Sequence, residues 1–269
     1  MSEILLDAQH LSLTYQPKSS KAPVFEDVSL QLAAGEVVTL LGFSGSGKSS
    51  LLRVLAGLRK PTRGTVALRQ KVVVKPHARI GFMFQDPCLL PWLNLEDNVA
   101  FGLKLKHQPS ISKAERRERV REALQEVGLQ EAAHYYPSAL SGGMAQRGSL
   151  ARSLVRQPEI LLLDEPFSAL DAVTRAQMQQ LLLSVIKKHG TSVVLVTHDI
   201  DEALQVSDRV LLLGGKPSHV VGSWNLTGIQ RGANSAELAR VEQEILTTLR
   251  ADSDAPAVCD ATSLLAIPA

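Results

Sequence analysis

The feature that most constrains the fold of this chain is a glycine-rich octapeptide, Gly42-Phe43-Ser44-Gly45-Ser46-Gly47-Lys48-Ser49. It follows an apolar segment, Glu36 to Leu41, that predicts a buried strand, and it opens the segment Lys48 to Leu58, which predicts a helix. A G-x-x-x-x-G-K-S pattern in this setting predicts a P-loop, which binds phosphate. Glycines let successive backbone N–H groups turn inward around an anion, and the helix N-terminus adds its positive end. The alternative, a flexible Gly/Ser-rich linker, would not be flanked by a strand and a helix.

The loop residues have predicted tasks in binding a nucleotide and Mg²⁺. Lys48 is expected to reach the outer phosphates, and the Ser49 hydroxyl is expected to ligate Mg²⁺. The other nucleotide-binding residues predicted here are Gly42, Phe43, Ser44, Gly45, Ser46, Gly47 and Ser50.

Two carboxylates, Asp164 and Glu165, follow a second apolar run, Ile160 to Leu163. Carboxylates at a strand end are unfavourable to bury unless a cation or a hydrogen-bond network holds them, and Mg²⁺ is the predicted cation. In P-loop NTPases the Asp holds the metal shell, so Asp164 is a predicted metal ligand. Glu165 is the candidate for orienting and deprotonating the attacking water. Two solvated carboxylates at a strand-to-loop junction are the alternative.

A second glycine-rich segment, Leu140-Ser141-Gly142-Gly143-Met144, opens another predicted helix, with Ser141 placed as its N-cap. It predicts a second anion site formed by Ser141, Gly142 and Gly143. A chain with one P-loop has a use for two such sites if two chains share the nucleotide. Taken alone, the segment favours the alternative, a Ser-capped helix with a glycine hinge; beside the P-loop and Asp164-Glu165 it favours the anion site.

The order of predicted elements indicates the fold class. Residues Ile4 to Leu32 predict antiparallel β structure, Leu95 to Val155 contain no convincing strand, and strands and helices alternate before and after that stretch. Ser112 and Glu115 have the spacing of a capping box at a helix start. We therefore predict an α/β fold: a P-loop NTPase core with an N-terminal antiparallel β region and an inserted α-helical subdomain at about residues 86–157. The nucleotide-binding domain is expected to span 1–250, ending after a helix at about 236–249, with a loose tail at 251–269.

Composition excludes several function classes. The charge balance, 29 − 27 = +2 over 269 residues, does not indicate a nucleic-acid surface. The two cysteines, Cys88 and Cys259, are far apart and lack metal-ligand spacing, which favours a reducing cytosol over a disulfide scaffold or a zinc site. No apolar run approaches the ~20 residues of a membrane-spanning helix, and the acidic N-terminus does not have the pattern of an export signal.

The joint order of the motifs resembles one family, the ATP-binding subunits of ABC transporters. The order comprises the P-loop, Gln85, the Leu140–Gly143 segment, Asp164-Glu165, Ser168-Ala169-Leu170-Asp171 and Thr197-His198-Asp199. The resemblance implies the ABC ATPase architecture, ATP and Mg²⁺ as ligands, and a homodimer that closes around two ATP molecules.

The resemblance also assigns roles to four further residues. Tyr15 would stack on adenine, or would simply be a half-buried strand aromatic. Gln85 would touch Mg²⁺ and the attacking water, and His198 would contact the γ-phosphate. Asp171 would lie in the loop that crosses between the subunits.

The segment Phe84 to Asn94, followed by Asp97-Asn98-Val99, is similar to that of bacterial importers of nitrate, taurine and aliphatic sulfonates. In the family this region lies beside the surface that receives the coupling helix of the membrane permease, and a complete importer would also need an extracytoplasmic binding protein. Pro91 and Trp92 would supply a rigid turn and an apolar contact there, although Trp92 packing inside the helical subdomain is an alternative. The implied location is the cytoplasmic face of the bacterial inner membrane, with no nucleic acid as partner.

One departure and two rival functions accompany this interpretation. Gly148 lies inside the helix that follows the second glycine-rich segment, where glycine costs about 1 kcal/mol relative to alanine. A soluble ABC-type ATPase in DNA repair or translation is the first rival, although this chain has neither a long coiled-coil insertion nor two ATP-binding modules. A small-molecule kinase is the second, and it leaves the Leu140–Gly143 segment unexplained.

Overall fold

The computed structural model describes residues 3–15, 23–104, 111–231 and 235–254. The strands are β1 Ile4–Leu13, β2 Phe25–Ala33, β3 Val37–Leu41, β4 Arg63–Leu68, β5 Lys71–Val72, β6 Ile80–Met83, β7 Ile160–Asp164, β8 Ser192–Thr197, β9 Arg209–Gly214 and β10 His219–Asn225. The α-helices are α1 Lys48–Leu55, α2 Leu95–Phe101, α3 Lys113–Glu126, α4 Gly142–Leu154, α5 Ala172–His189, α6 Ile200–Val206 and α7 Ala236–Asp254.

Two sheets form the core. The larger has the order β10-β9-β3-β8-β7-β6, and its strands β9, β3, β8, β7 and β6 are all parallel, while β10 pairs antiparallel with β9. The smaller sheet, β2-β1-β4-β5, is antiparallel and contains the predicted N-terminal β region. The predicted α/β class is therefore confirmed, and the carboxyl ends of five parallel strands meet along one edge.

The central strands are buried on both faces, as their continuous apolar sequences predict. In β7, Leu161 and Leu163 face a core built with α2, α3, α4 and α5. Ile160 and Leu162 face the opposite core, which α1 and the antiparallel sheet complete. Since side chains alternate along a strand, one apolar run supplies both cores.

Helices α2, α3 and α4 lie between β6 and β7, in the region predicted to be a helical insert. The packing of α4 against α2 requires glycine at position 148. A Cβ atom at this position would lie 2.6 Å from Cδ1 of the buried Leu95 of α2. Glycine thus allows the close approach of α4 to α2, a role that offsets its low helix propensity.

The structure corrects two predicted details and adds one strand. The capping box is only half formed, because Ser112 Oγ accepts from Glu115 N at 3.1 Å while the Glu115 carboxylate accepts from Arg119. The last helix extends to Asp254, so residues 251–254 of the predicted loose tail are helical, and 255–269 lie outside the described residues. Strand β10 was not predicted, since its half-exposed sequence lacks a continuous apolar run.

Within the described ranges, no helix is long and apolar enough to span a membrane.

Candidate active site

Four predicted site segments lie side by side because they follow four neighbouring parallel strands. Gln85 follows β6, Asp164 ends β7 and precedes Glu165, His198 follows β8, and the P-loop follows β3. The strand order β3-β8-β7-β6 places them along one edge of the sheet, where ligands bind in open α/β folds. Segments more than 100 residues apart in sequence therefore form one site.

Close packing explains why the P-loop needs glycine at its two ends. A Cβ atom on Gly42, whose φ is 155°, would lie 2.5 Å from the Leu213 carbonyl oxygen. A Cβ atom on Gly47, whose φ is 83°, would lie 2.7 Å from Val24 Cγ1. Glycine permits both the backbone conformation and the approach of these neighbours.

Lys48, the first residue of α1, is buried and folds back over the loop. Its Nζ donates to the carbonyl oxygens of Gly42 at 2.7 Å and Phe43 at 2.8 Å. Burial lowers the pKa of the Lys48 ammonium, and the nearby carboxylates of Glu165 and Asp164 oppose that shift.

Ser49 and Asp164 form the link between the P-loop helix and β7. Ser49 Oγ donates to Asp164 Oδ1 at 2.7 Å, and Arg53 Nη2 lies 3.9 Å from Asp164 Oδ2. Asp164 is only 3% exposed, and burial raises the pKa of its carboxyl group despite the Ser49 hydrogen bond and the charge of Arg53. Two of the three predicted metal ligands, Ser49 and Asp164, thus lie in direct contact.

Glu165 occupies the left-handed region, with φ at 45°, which is uncommon for a non-glycine residue and is concentrated at functional sites. Its carboxylate lies between the other two predicted catalytic side chains. Gln85 Nε2 donates to Glu165 Oε2 at 3.2 Å, and His198 Nδ1 lies 3.4 Å from Glu165 Oε1. The structure therefore brings Gln85, Glu165 and His198 together.

Tyr15 lies just beyond β1, half exposed, beside the P-loop helix. Its hydroxyl is 2.7 Å from Ser50 Oγ, and the Arg59 guanidinium carbon lies 4.1 Å from the ring centroid. One ring face is therefore covered by a cation–π contact. Arg59 was not predicted as part of this site.

The second glycine-rich segment is positioned as the sequence predicts, at the start of α4. Ser141 is the N-cap, and its Oγ accepts from Met144 N at 3.3 Å. The two glycines differ in their surroundings: a Cβ atom on Gly142 would meet nothing within 4 Å, whereas one on Gly143 would lie 2.6 Å from Thr174 Cγ2 of α5. The open side of this segment is therefore at Gly142.

Asp171 caps α5, with its Oδ1 accepting from Thr174 N at 3.0 Å and its Oδ2 accepting from Thr174 Oγ1 at 2.6 Å. These hydrogen bonds lower the pKa of Asp171. Arg175, in the first turn of the same helix, lies 3.5 Å from a buried carboxylate that sequence reasoning missed, Glu202 of α6. The only sequence signal for Glu202 is its place one turn after His198, which does not reveal burial.

Trp92 is 70% exposed, so the alternative that it packs inside the helical subdomain is wrong. The turn that presents it is held by the fully buried Asn98, whose Oδ1 accepts from Leu90 N at 2.7 Å. The Asn98 Nδ2 group donates to the carbonyl oxygens of Leu90, Leu93 and Asn94. An exposed indole on a rigid turn is typical of a contact surface.

Comparison with known proteins gives consistent matches. The family described as ABC transporter matches residues 25–168. The aliphatic sulfonates import ATP-binding protein SsuB 1 of Xanthomonas axonopodis pv. citri is 49% identical over 229 residues, covering 84% of this chain and 90% of that protein. The taurine import ATP-binding protein TauB of Pseudomonas aeruginosa is 45% identical over 216 residues, covering 80% and 81%.

Solved structures show the same fold. A dimeric ATP-binding cassette in a post-hydrolysis state, bound to ADP and Pi, superposes with a TM-score of 0.74 at 34% identity, covering 83% of this chain and 100% of that one. A subunit of the cbiONQ ABC transporter complex from Clostridium perfringens superposes with a TM-score of 0.75 at 26% identity, covering 93% and 95%.

Because the Asp164 carboxylate is desolvated, we predict that removal of its charge raises the free energy of unfolding. Because the pKa of Asp164 is raised in the folded protein, stability falls as the pH rises through that raised pKa. Asp164→Asn removes the charge and keeps an acceptor for Ser49. In EDTA and without nucleotide, the variant should resist urea better than wild type at pH 7.5, and the gain should shrink as the pH falls toward about 3.9.

The control for this prediction is Asp208→Asn. Asp208 accepts from Val37 N at 2.9 Å and pairs with Arg231, and its carboxylate is partly exposed, so loss of its charge should give no gain in stability. Loss of stability in Asp164→Asn at pH 7.5 would contradict the electrostatic argument.

Proposed function

The chain belongs to the ABC transporter family, and we propose that it is the ATP-binding and ATP-hydrolysing subunit of an importer for organic sulfonates such as taurine. The observation that carries the enzymatic part is the convergence of the P-loop, Asp164, Glu165, Gln85 and His198 at one sheet edge. The substrate class rests on the names of the two similar import proteins. Those names also favour import over the rival roles in DNA repair, translation or small-molecule phosphorylation, and they do not include nitrate.

The loop residues fit a nucleotide phosphate and Mg²⁺. Ser46 Oγ is buried without a hydrogen-bond partner among the described residues, which leaves a hydroxyl available beside the loop amides. Ser49 and Asp164 supply a hydroxyl and a carboxylate, the oxygen ligands that Mg²⁺ prefers, with Gln85 as a further candidate. When bound, Mg²⁺ would neutralise developing charge on the phosphate oxygens.

Each side chain of the site has a proposed task in hydrolysis. Lys48 exchanges its two carbonyl partners for phosphate oxygens, a favourable exchange because the ammonium is already desolvated. Glu165 takes the proton of the attacking water, and Gln85 and His198, both next to its carboxylate, orient that water and the γ-phosphate. Tyr15 offers its uncovered ring face to adenine.

We predict that Glu165→Gln lowers the rate of steady-state ATP hydrolysis by about 100-fold or more, since the amide keeps the shape of the side chain but is not a base. ATP binding should survive, and an ATP-bound dimer should accumulate, as measured by fluorescent nucleotide titration and gel filtration. Glu159→Gln, just before the start of β7 and paired with Arg69 and Arg79, is the control and should hydrolyse normally. Near-normal hydrolysis by Glu165→Gln in the assembled transporter would rule out its role as the base.

We further infer that the ATP site is shared between two chains. The signature segment Ser141–Gly143 begins a helix whose neighbours include Leu170 and Thr174, whereas the P-loop contacts Val24 and Leu213. Within one chain, these two anion-binding segments thus have different surroundings. The open space at Gly142 suits the phosphates of a nucleotide held by the partner copy. The dimeric cassette among the solved structures supports this arrangement.

Mixed dimers test the shared site. Gly142→Leu is the variant of choice, because a side chain at Gly143 would collide with Thr174 of its own chain. Mixing it with Lys48→Ala gives heterodimers in which one shared site carries both defects and the other carries neither. With Cys88 and Cys259 replaced by Ser, ATP-driven cross-linking between engineered cysteines should return at the intact site. Absence of closure in verified heterodimers, with both homodimers also inactive, counts against sharing.

The exposed Trp92 is the proposed contact with the membrane permease. It lies on the turn held by Asn98, and the chain runs from Gln85 at the ATP site directly into this turn. Gln146 Nε2 also donates to the Gln85 carbonyl oxygen at 2.9 Å, which joins the start of this segment to helix α4. We place the subunit on the cytoplasmic face of the inner membrane, where two permease subunits would receive it and a binding protein would deliver substrate from outside.

Replacement of Trp92 by Ala should weaken co-purification with the permease subunits, or uncouple hydrolysis from uptake, while nucleotide affinity and thermal midpoint of the isolated subunit stay near wild type. Because the indole is exposed, its truncation removes little buried apolar surface from the isolated subunit. The other tryptophan, Trp224, packs against the core around α7 and donates to Glu244, so Trp224→Ala should lower the midpoint. Normal coupling in Trp92→Ala would exclude this surface as the contact.

A further inference from the structure

A single guanidinium group, that of Arg175, joins three segments near the active site. Arg175 lies in the first turn of α5, and its Nη2 donates to the Leu170 carbonyl oxygen at 3.3 Å. Its Nη1 donates to Asp199 Oδ2 at 3.3 Å, and its Nε lies 3.5 Å from Glu202 Oε1. Arg175 is thus the bridge from the segment before α5 to the loop that carries His198.

The loop around His198 is held from both sides by these partners. Glu202 is 4% exposed, and its Oε2 accepts from Thr197 Oγ1 at 2.6 Å. Thr197 Oγ1 in turn accepts from Asp199 N at 3.1 Å, and Asp199 Oδ1 caps α6 by accepting from Glu202 N. His198 itself is exposed, so its placement depends on the backbone that Thr197 and Asp199 fix.

The same turn of α5 contacts the signature segment. Thr174, the neighbour of Arg175, bonds Asp171 through its hydroxyl and presses its methyl group against the position where Gly143 lacks a side chain. One helical turn therefore touches Asp171, Gly143 and, through Arg175, the His198 loop. These contacts tie the positions of Asp171, Gly143 and the His198 loop to one turn of α5.

We propose that Arg175 is a positioning residue for ATP hydrolysis: it holds His198 in register with Leu170, Asp171 and the signature segment. The proposal rests on the role given above to His198. A planar guanidinium with donors in a fork contacts three oxygen atoms at once, which neither lysine nor a neutral side chain reproduces.

The test separates positioning from folding stability. Arg175→Met alone leaves the buried Glu202 carboxylate without its cation, which destabilises the fold, so the double variant Arg175→Met/Glu202→Gln is the decisive one. In the double variant the Gln side chain still accepts from Thr197, and the thermal midpoint should return toward wild type. The kcat for ATP should stay at least tenfold reduced, with KM within about threefold and ATP-driven dimerisation in the Glu165→Gln background retained.

The matched control is Arg231→Met. Arg231 donates to the carbonyl oxygens of Gln205 and Ser207 at 2.8 Å and pairs with Asp208, at the opposite end of α6 from His198. It should lower the thermal midpoint and leave kcat unchanged.

The outcomes are distinct. Recovery of kcat together with the thermal midpoint in the double variant overturns the proposal, as does an equal loss of kcat in Arg231→Met. If His198→Ala is slow while both Arg175 variants hydrolyse normally, the inference fails and the proposed function stands. If His198→Ala hydrolyses like wild type, the role of His198 fails, and the positioning role fails with it.

Discussion

The hydrogen bond from Ser49 to Asp164 joins residues 115 positions apart, and the rest of the site is arranged around it. It holds the first turn of α1 against the end of β7 and places a hydroxyl and a buried carboxylate side by side. The buried ammonium of Lys48 lies close enough for each charge to shift the pKa of the other. These charges are desolvated and incompletely neutralised in the ligand-free protein. Binding of a phosphate and a cation is therefore favoured over the ligand-free state.

The two glycine-rich helix starts are alike in sequence and differ in physical role. In the P-loop, Gly42 and Gly47 are required by backbone conformation and by neighbours of the same chain. In the signature segment, Gly143 is required by Thr174, whereas Gly142 faces open space. Gly45 of the P-loop is equally open, so each segment leaves one unobstructed glycine that can approach a phosphate, as a site completed by a second copy requires.

The connections from the ATP site lead in two directions. Gln85 leads through its following segment to the turn of Trp92, where the permease contact is proposed. From His198 the second connection runs through Asp199 and Arg175 to Leu170 and to α4, where the contact with a second copy is proposed. Each connection includes a side chain that donates to a backbone carbonyl oxygen, Gln146 to Gln85 in the first and Arg175 to Leu170 in the second, and such directional bonds fix the backbone of the segment they reach.

The sequence by itself determined the α/β class, the P-loop, the Asp164-Glu165 pair at a strand end and the family, because each is written in a local pattern or an ordered set of patterns. Only the tertiary structure decided that Trp92 is exposed, that Gly148 accommodates Leu95, that Gly143 abuts Thr174 and that Arg175 bridges to Glu202. These facts depend on which distant segments come into contact. Burial and contact are properties of packed pairs of segments, and no periodicity or motif within either segment specifies them.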